Sequence, residues 1–256
     1  MMTTIPTSIR QRFNELQHVK LFEGMDIGAL TPLLSAARIQ KYHESKIILR
    51  QDDPPTHLCI ILEGQARIYR MHEDGREAVT RILSKGHTMF ENVIFFDEFS
   101  PVNGEIIKHA ELMMIPARLV QKFAADNATF AVNVAKVLAE RTNQMMFQQE
   151  LISLHSAKDR LGAFFLSAML EQKKFGQNFK LDFEKALVAR HLAMTPETLS
   201  RTLKELKNLG INVNGNSITL EKPCTLCQFY DGMIARKCDK ARTDACPHHH
   251  RKYLNN

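Results

Sequence analysis

The chain has 256 residues, 44% of them hydrophobic and 24% charged, which is the balance of an ordinary globular protein and excludes fibrous or disordered classes. A net charge of +6 and a pI of about 9.1 point to an anionic partner. The opening "MMTTIPTSIRQRFNEL" lacks the apolar core of a secretory signal, and the longest apolar run, Ala163–Leu170, is far too short to span a bilayer. A cytoplasmic protein without membrane attachment is therefore expected, and in a reducing cytosol clustered cysteines read as metal ligands rather than disulfides.

From about Leu21 to Val120 the sequence reads as β structure. Short aliphatic and β-branched runs, "KIILR", "HLCIILEG", "QARIYRM", "EAVTRIL" and "ELMMIP", alternate with turn signals. "EDGR" (Glu73–Arg76) predicts a hairpin of type I′, because Asp-Gly accepts positive φ. Regular short strands of this kind predict a sandwich or jelly roll.

From about Asn127 the texture becomes helical, with neither Gly nor Pro through His155. Ala131, Leu138, Met145 and Ile152 recur every seven residues, with Val134, Arg141, Gln148 and His155 offset by three. That heptad seam predicts a helix pairing with its twin through Val134, Leu138, Arg141, Met145, Gln148 and Ile152, against the plainer reading of a helix packed on its own domain. A second apolar helix follows over about Ala157–Lys173.

"FEKALVARHLAMTPETLSRTLKELKNLGINVNGNSITL" then predicts a helix over Glu184–Leu192, a tight turn at Ala193–Met194 and a second helix starting at Thr195. Thr195 is an N-cap, Pro196 suits the first helical position and Gly210 the C-terminal end. Leu199, Leu203 and Leu206 fall on one face, while Glu197, Ser200, Arg201 and Lys204 fall on the other. Two short strands around an Asn214–Gly215 turn complete a winged helix-turn-helix. The plain reading of the polar face is a solvated surface, but the first turn of such a second helix is where side chains reach base edges in the major groove. Double-stranded DNA is the expected partner.

Four of the five cysteines crowd the end of the chain, Cys224-x2-Cys227 followed by Cys238 and Cys246. A CxxC pair delivers two sulfurs to one metal with little chain entropy to lose, and four thiolates suit a cubane iron–sulfur cluster or a tetrahedral zinc; reactive, unligated thiols are the third reading. His248, His249, His250, Asp231 or Asp239 could stand in as a ligand. Cys59, inside "LCIIL", reads as a small buried hydrophobe. No nucleophile elbow, P-loop or HExxH pattern occurs, so an enzyme is not expected.

A β-roll, a long helix and a C-terminal winged helix in this order resemble the Crp/Fnr family of bacterial transcription regulators, over about Leu21 to Leu220. "LEGQARIY", "DGRE" and "LSKGHTMFE" resemble the sensory roll of that family, and "TPETLSRTLKEL" resembles its recognition helix. The resemblance implies a homodimer on a palindromic site with half-sites like TTGAT, with RNA polymerase as a further partner. Glu197, Ser200 and Arg201 fit the Glu-x-x-Ser-Arg pattern of the Fnr-like branch. Arg201 can pair bidentately with guanine, Glu197 can accept from a cytosine amine, and Thr195, Ser200 and Lys204 suit phosphate or mixed contacts. Nucleotide-binding members carry Gly-Glu and an Arg-Ser pair in the roll. Here Phe90 precedes Glu91, and "FSPVNGE" offers Ser100–Pro101 without arginine, so cyclic AMP is not the expected ligand. Some members bind haem in the roll, where His43, His57, His72, His87 and His109 would be the candidate ligands. A branch that carries its cluster after the DNA-binding domain favours a 4Fe–4S iron–sulfur centre at Cys224, Cys227, Cys238 and Cys246, with zinc as the alternative.

The expectation is an α+β protein: a cyclic-nucleotide-binding-like β-roll (jelly-roll) sensor domain at 20–125, a dimerisation helix at 126–155, a winged helix-turn-helix at 156–222 and a cysteine-rich metal-binding extension at 223–256. Its expected function is sequence-specific DNA binding governed by oxygen, nitric oxide or redox state, or, in the zinc reading, by a small molecule or haem in the roll.

Overall fold

The computed structural model describes residues 4–96, 99–172, 177–181, 183–222 and 225–229. It divides into two compact units, residues 1–144 and 145–256. The first opens with short helices, α1 (Thr7–Arg10) and α2 (Phe13–Leu16), a 3-10 turn at Lys20–Phe22, and α3 (Ile27–Leu34), whose N-cap Asp26 accepts a hydrogen bond from the Ala29 amide at 2.8 Å. Residues 21–34, expected to begin the β region, are thus helical or turn. Leu30, Leu33 and Leu34 are wholly buried and form the core face of α3.

A six-stranded antiparallel sheet follows: β1 (Arg38–Tyr42), β2 (Lys46–Leu49), β3 (His57–Met71), β4 (Glu77–Leu83), β5 (Thr88–Met89) and β6 (Asn103–Pro116). β3 and β6 are its long central pair, in register from His57 against Pro116 to Tyr69 against Asn103. Bulges between Ile61 and Glu63 and between Gly64 and Ala66 bend the pair. "HLCIILEG" and "QARIYRM", read as separate runs, are one strand. Gly64 does not end it; at φ +86° it lets the backbone of His109 and Ala110 approach closer than any Cβ would allow. The β3–β4 hairpin also differs in detail from expectation. The Gly75 amide donates to the His72 carbonyl at 2.9 Å, and of the turn residues only Gly75 has positive φ, +83°. This is a type I turn closed by a left-handed glycine, not type I′. Arg67 binds the strands together: its guanidinium meets Glu77 of β4 at 2.6 Å and Glu105 of β6 at 2.7 Å and lies 4.3 Å from the Tyr69 ring centre.

α4 (Ala117–Asp126) closes the roll, and α5 (Ala128–Leu154) runs from the first unit into the second. Phe130, Val134 and Val137 of α5 are buried in the roll's core, and Phe130 packs edge-on against Phe123 at 5.1 Å. In the second unit, α6 (Ala157–Glu171) is capped by Ser156, whose hydroxyl accepts from the Asp159 amide at 3.2 Å. Strand β7 (Asn178–Lys180), α7 (Lys185–His191), α8 (Pro196–Asn208), β8 (Ile211–Asn214) and β9 (Ser217–Leu220) complete it. The wing has three strands in the order β7-β9-β8, one more than expected, because Phe179 pairs with Ile218. Its hairpin turn is Gly215–Asn216, one residue later than read, since Asn214 still pairs with Ser217. Among the described residues no helix is long and apolar enough to cross a membrane.

Candidate nucleic-acid interface

α7 ends at His191, and the chain turns through Ala193, whose φ is +51°. Buried Leu192 and Met194 flank that residue and anchor the turn from both sides. Thr195 then caps α8: its hydroxyl accepts from the Thr198 amide at 3.2 Å and lies 3.1 Å from the Thr198 hydroxyl, while Pro196 opens the helix without an amide to satisfy. Leu199, Thr202 and Leu206 are buried, and Leu203 packs against them. Thr202 is tolerated inside because its hydroxyl donates to the Thr198 carbonyl at 2.8 Å. Burying each leucine contributes about 1.5–3 kcal/mol, which fixes the rotation of α8 about its axis.

With that rotation set, Glu197, Ser200, Arg201 and Lys204 are all exposed, and with Pro196 they line one open depression of about 450 Å³. Glu197 sits in the first turn of α8, where its own backbone N–H and the Thr195 hydroxyl hold its carboxyl below the ordinary carboxylate value. One acceptor, one hydroxyl and two cations on a single exposed helix face form a surface that a nucleic-acid groove can meet. Thr195 borders this face, with its hydroxyl engaged in the cap.

Gln148, expected in the dimer seam, does something the spacing gave no sign of. Its side-chain amide donates to the His191 carbonyl at 2.9 Å and lies 3.2 Å from His191 Nδ1, so it satisfies a carbonyl at the end of α7. The His191 ring also stands 5.8 Å from that of Phe164. Of the other seam residues, Val134 is buried in the roll, Leu138 packs on its core and Arg141 bonds Glu91 at 2.9 Å. Met145 is 64% and Ile152 39% exposed. The large apolar side chains that α5 leaves exposed also include Val132, Met146 and Leu154.

Cys227 is half-buried on a 3-10 turn, Thr225–Phe229, held by the wholly buried Leu226 and by Phe229, which packs on α6 at Gly162. Cys224, Cys238 and Cys246 lie outside the described residues, as do Asp231, Asp239 and His248 to His250. Among the described residues no three His, Cys, Asp or Glu converge as a metal site. Of the roll histidines, His57 lies 2.8 Å from the Thr56 hydroxyl, and His72 lies 3.0 Å from Asp74. His87 Nδ1 accepts from the Ser84 amide at 3.0 Å, and His43 and His109 are exposed. Cys59 is buried in β3, and burial pushes its thiol up to about 12.

Comparison with known proteins agrees with this architecture. Residues 39–127 match the cyclic nucleotide-binding domain and residues 159–229 the Crp-like helix-turn-helix domain, together more than half of the chain. An anaerobic regulatory protein of Pasteurella multocida is 24% identical over 199 residues, covering 75% of this chain and 71% of that one. The fumarate and nitrate reduction regulatory protein of Shigella dysenteriae is 22% identical over 200 residues, covering 75% and 78%. The structure of FixK2 from Bradyrhizobium japonicum superposes with a TM-score of 0.68 at 20% identity, covering 76% of this chain and 98% of that one. That of a CooA mutant from Carboxydothermus hydrogenoformans gives 0.65 at 21%, covering 84% and 94%. These likenesses show a shared fold. With both domains present in this order, the chain belongs to the Crp/Fnr family of transcription regulators.

Proposed function

We propose that this protein is a homodimeric, sequence-specific DNA-binding regulator that senses oxygen, nitric oxide or redox state through its C-terminal cysteines. The observation that carries the DNA reading is the single exposed face of α8 on which Glu197, Ser200, Arg201 and Lys204 surround one depression, opposite the leucines that lock its rotation. On that face Arg201 reads guanine, Glu197 reads a cytosine amine, and Ser200 and Lys204 take phosphate or mixed contacts. The two helices of a dimer would meet half-sites one helical turn apart, in an inverted repeat like TTGAT. The exposed Val132, Met145, Met146, Ile152 and Leu154 of α5 support pairing with a second copy, since isolated chains seldom leave so many large apolar side chains on one helix in water. RNA polymerase is a further partner in this reading.

Cys224, Cys227, Cys238 and Cys246 form a donor set that suits a 4Fe–4S cluster, or a zinc ion in the alternative reading. A bound cluster would supply sensitivity to oxidants. The chain's own contribution is to tether Cys227 directly to the winged-helix core through Leu226 and Phe229. The zinc alternative leaves signal input to a small molecule or haem in the roll.

Gel-shift titration on an inverted-repeat duplex, with Arg201→Ala as control, tests the DNA reading; a monomer indifferent to the repeat overturns it. Iron, sulfide and zinc content of protein purified without oxygen tests the sensor. Iron with sulfide supports the cluster, stoichiometric zinc without a chromophore selects the alternative, and metal-free protein overturns both.

A further inference from the structure

The polar centre of the roll contains a buried ion cluster that the DNA-binding face does not use. It starts at Phe90, whose φ of +72° is a conformation a glycine adopts freely and a phenylalanine only under strain. The strain is held by packing: Phe90 is buried, and its ring occupies the space beside Gly104, where a Cβ would come within 2.3 Å of Phe90 Cζ. This turn carries the next side chain, Glu91, inward until it is 1% exposed.

Two arginines from distant parts of the unit converge on one oxygen of that carboxylate. Arg81 of β4 reaches Glu91 Oε1 with Nη1 at 3.0 Å, and Arg141 of α5 reaches it with Nε at 2.9 Å. Each guanidinium is also oriented from a second side. Arg81 Nη2 donates to the Thr88 carbonyl at 2.9 Å, and Arg141 Nη1 donates to Gln144 Oε1 at 2.8 Å. Glu91 Oε2 and Arg81 Nε are enclosed and have no hydrogen-bond partner among the described residues. Burial lowers the Arg81 guanidinium to about 10, so it remains a cation at neutral pH.

We propose that Glu91, Arg81 and Arg141 form an internal latch, in which the chain's own side chains tie the middle of α5 to β4 and to the turn at Phe90. The latch fixes that helix without a bound cyclic nucleotide. Removing Glu91 leaves two guanidiniums facing each other without their shared anion, whereas removing Arg141 leaves Glu91 paired with Arg81 and takes away only the tie to the helix. Arg141 is the latch member on α5, and losing it loosens the helix around that residue, while Phe130, Val134 and Val137 keep the preceding turns in the core and β3 and β6 stay intact.

Hydrogen exchange of the full-length chain tests this without reference to DNA. With Arg141→Met, amides of residues 138–144 should exchange about tenfold faster or more, while those of β3 and β6 keep their protection. In the cycle with Glu91→Gln, the double variant should exchange no faster in that segment than the faster single variant, because both remove the same contact. Thermal shift with millimolar cyclic AMP or cyclic GMP should leave the wild type unmoved. Unchanged exchange in Arg141→Met, additive effects in the double variant, or protection lost throughout β3 and β6 with Arg141→Met alone each overturns the latch. So does a saturable cyclic-nucleotide shift that Glu91→Gln abolishes, since Glu91 would then be holding a ligand rather than the helix.

Discussion

Replacing Gly162 with alanine sets helix propensity against packing, and the structure decides the sign. Gly162 lies inside α6, where an exposed glycine-to-alanine change would stabilise by roughly 0.8–1 kcal/mol. The added Cβ, however, would stand 2.3–2.5 Å from three atoms of the Phe229 ring, far inside van der Waals contact. Neither side can yield cheaply. Gly162 is helix backbone, and Phe229 is held beside Leu226, which has no exposed surface at all. Overpacking of this kind costs about 1–3 kcal/mol, and complete undocking of the turn forfeits about 1.5–3 kcal/mol for each of the two side chains. After crediting the propensity gain, Gly162→Ala should destabilise the second unit by up to about 2 kcal/mol where the contact is strained and by about 2–5 kcal/mol where the turn undocks. Denaturant unfolding followed by far-UV ellipticity, with exchange at α6 amides to assign the transition, measures it. In a Phe229→Ala background the same change should become neutral or stabilising, because the colliding ring is gone. A stabilising Gly162→Ala in the otherwise unaltered chain would refute the docking of Thr225–Phe229 on α6, and with it the mechanical tie between Cys227 and the DNA-binding domain.

Other outcomes follow from the same geometry. Arg201→Ala should weaken binding to an inverted repeat by about 1–3 kcal/mol per subunit and relax preference at one base pair, while Lys204→Ala should weaken all sequences alike and reduce the salt slope by about 1 per subunit; competition and salt titrations separate the two. Thr195→Ala removes the α8 cap and should cost about 1 kcal/mol of unfolding free energy, with Thr195→Ser close to wild type. For Cys59, whose thiol is raised from 9.0 to about 12, alkylation of native protein near pH 8 should run at least about a thousandfold slower than after unfolding, as peptide mass spectrometry can show, with burial of the sulfur adding to the loss of thiolate. The sign of the linkage is fixed by that direction: the buried thiol's contribution to stability is complete below pH 9 and declines as pH rises through the interval up to about 12.

Much of the second unit was legible because its signals are local. Thr195-Pro196, Gly210 and the 3.6-residue spacing of Leu199, Leu203 and Leu206 act within one or two turns of chain, and each held its place. The polar face of α8 follows from that spacing alone. In the roll, β4 was legible to the residue, since a run bounded by turns on both sides has few alternatives. Where such bounds are missing the reading strays: the expected β region begins at about Leu21, where Leu30, Leu33 and Leu34 face the core from a helix, and Gly64 interrupts nothing.

What the sequence determined by itself, then, is element type where caps and turns bound a run, and the buried face of α8, because propensity, capping and periodicity are encoded by neighbours. What only the tertiary structure decided is which distant group each polar side chain meets. Arg141 and Gln148 fit a heptad seam, yet they find Glu91 and the His191 carbonyl, 50 and 43 residues away. A buried carboxylate or an open helix end takes whichever donor the folded chain brings within about 3 Å, and that choice is made by closure of the whole chain rather than by spacing along it.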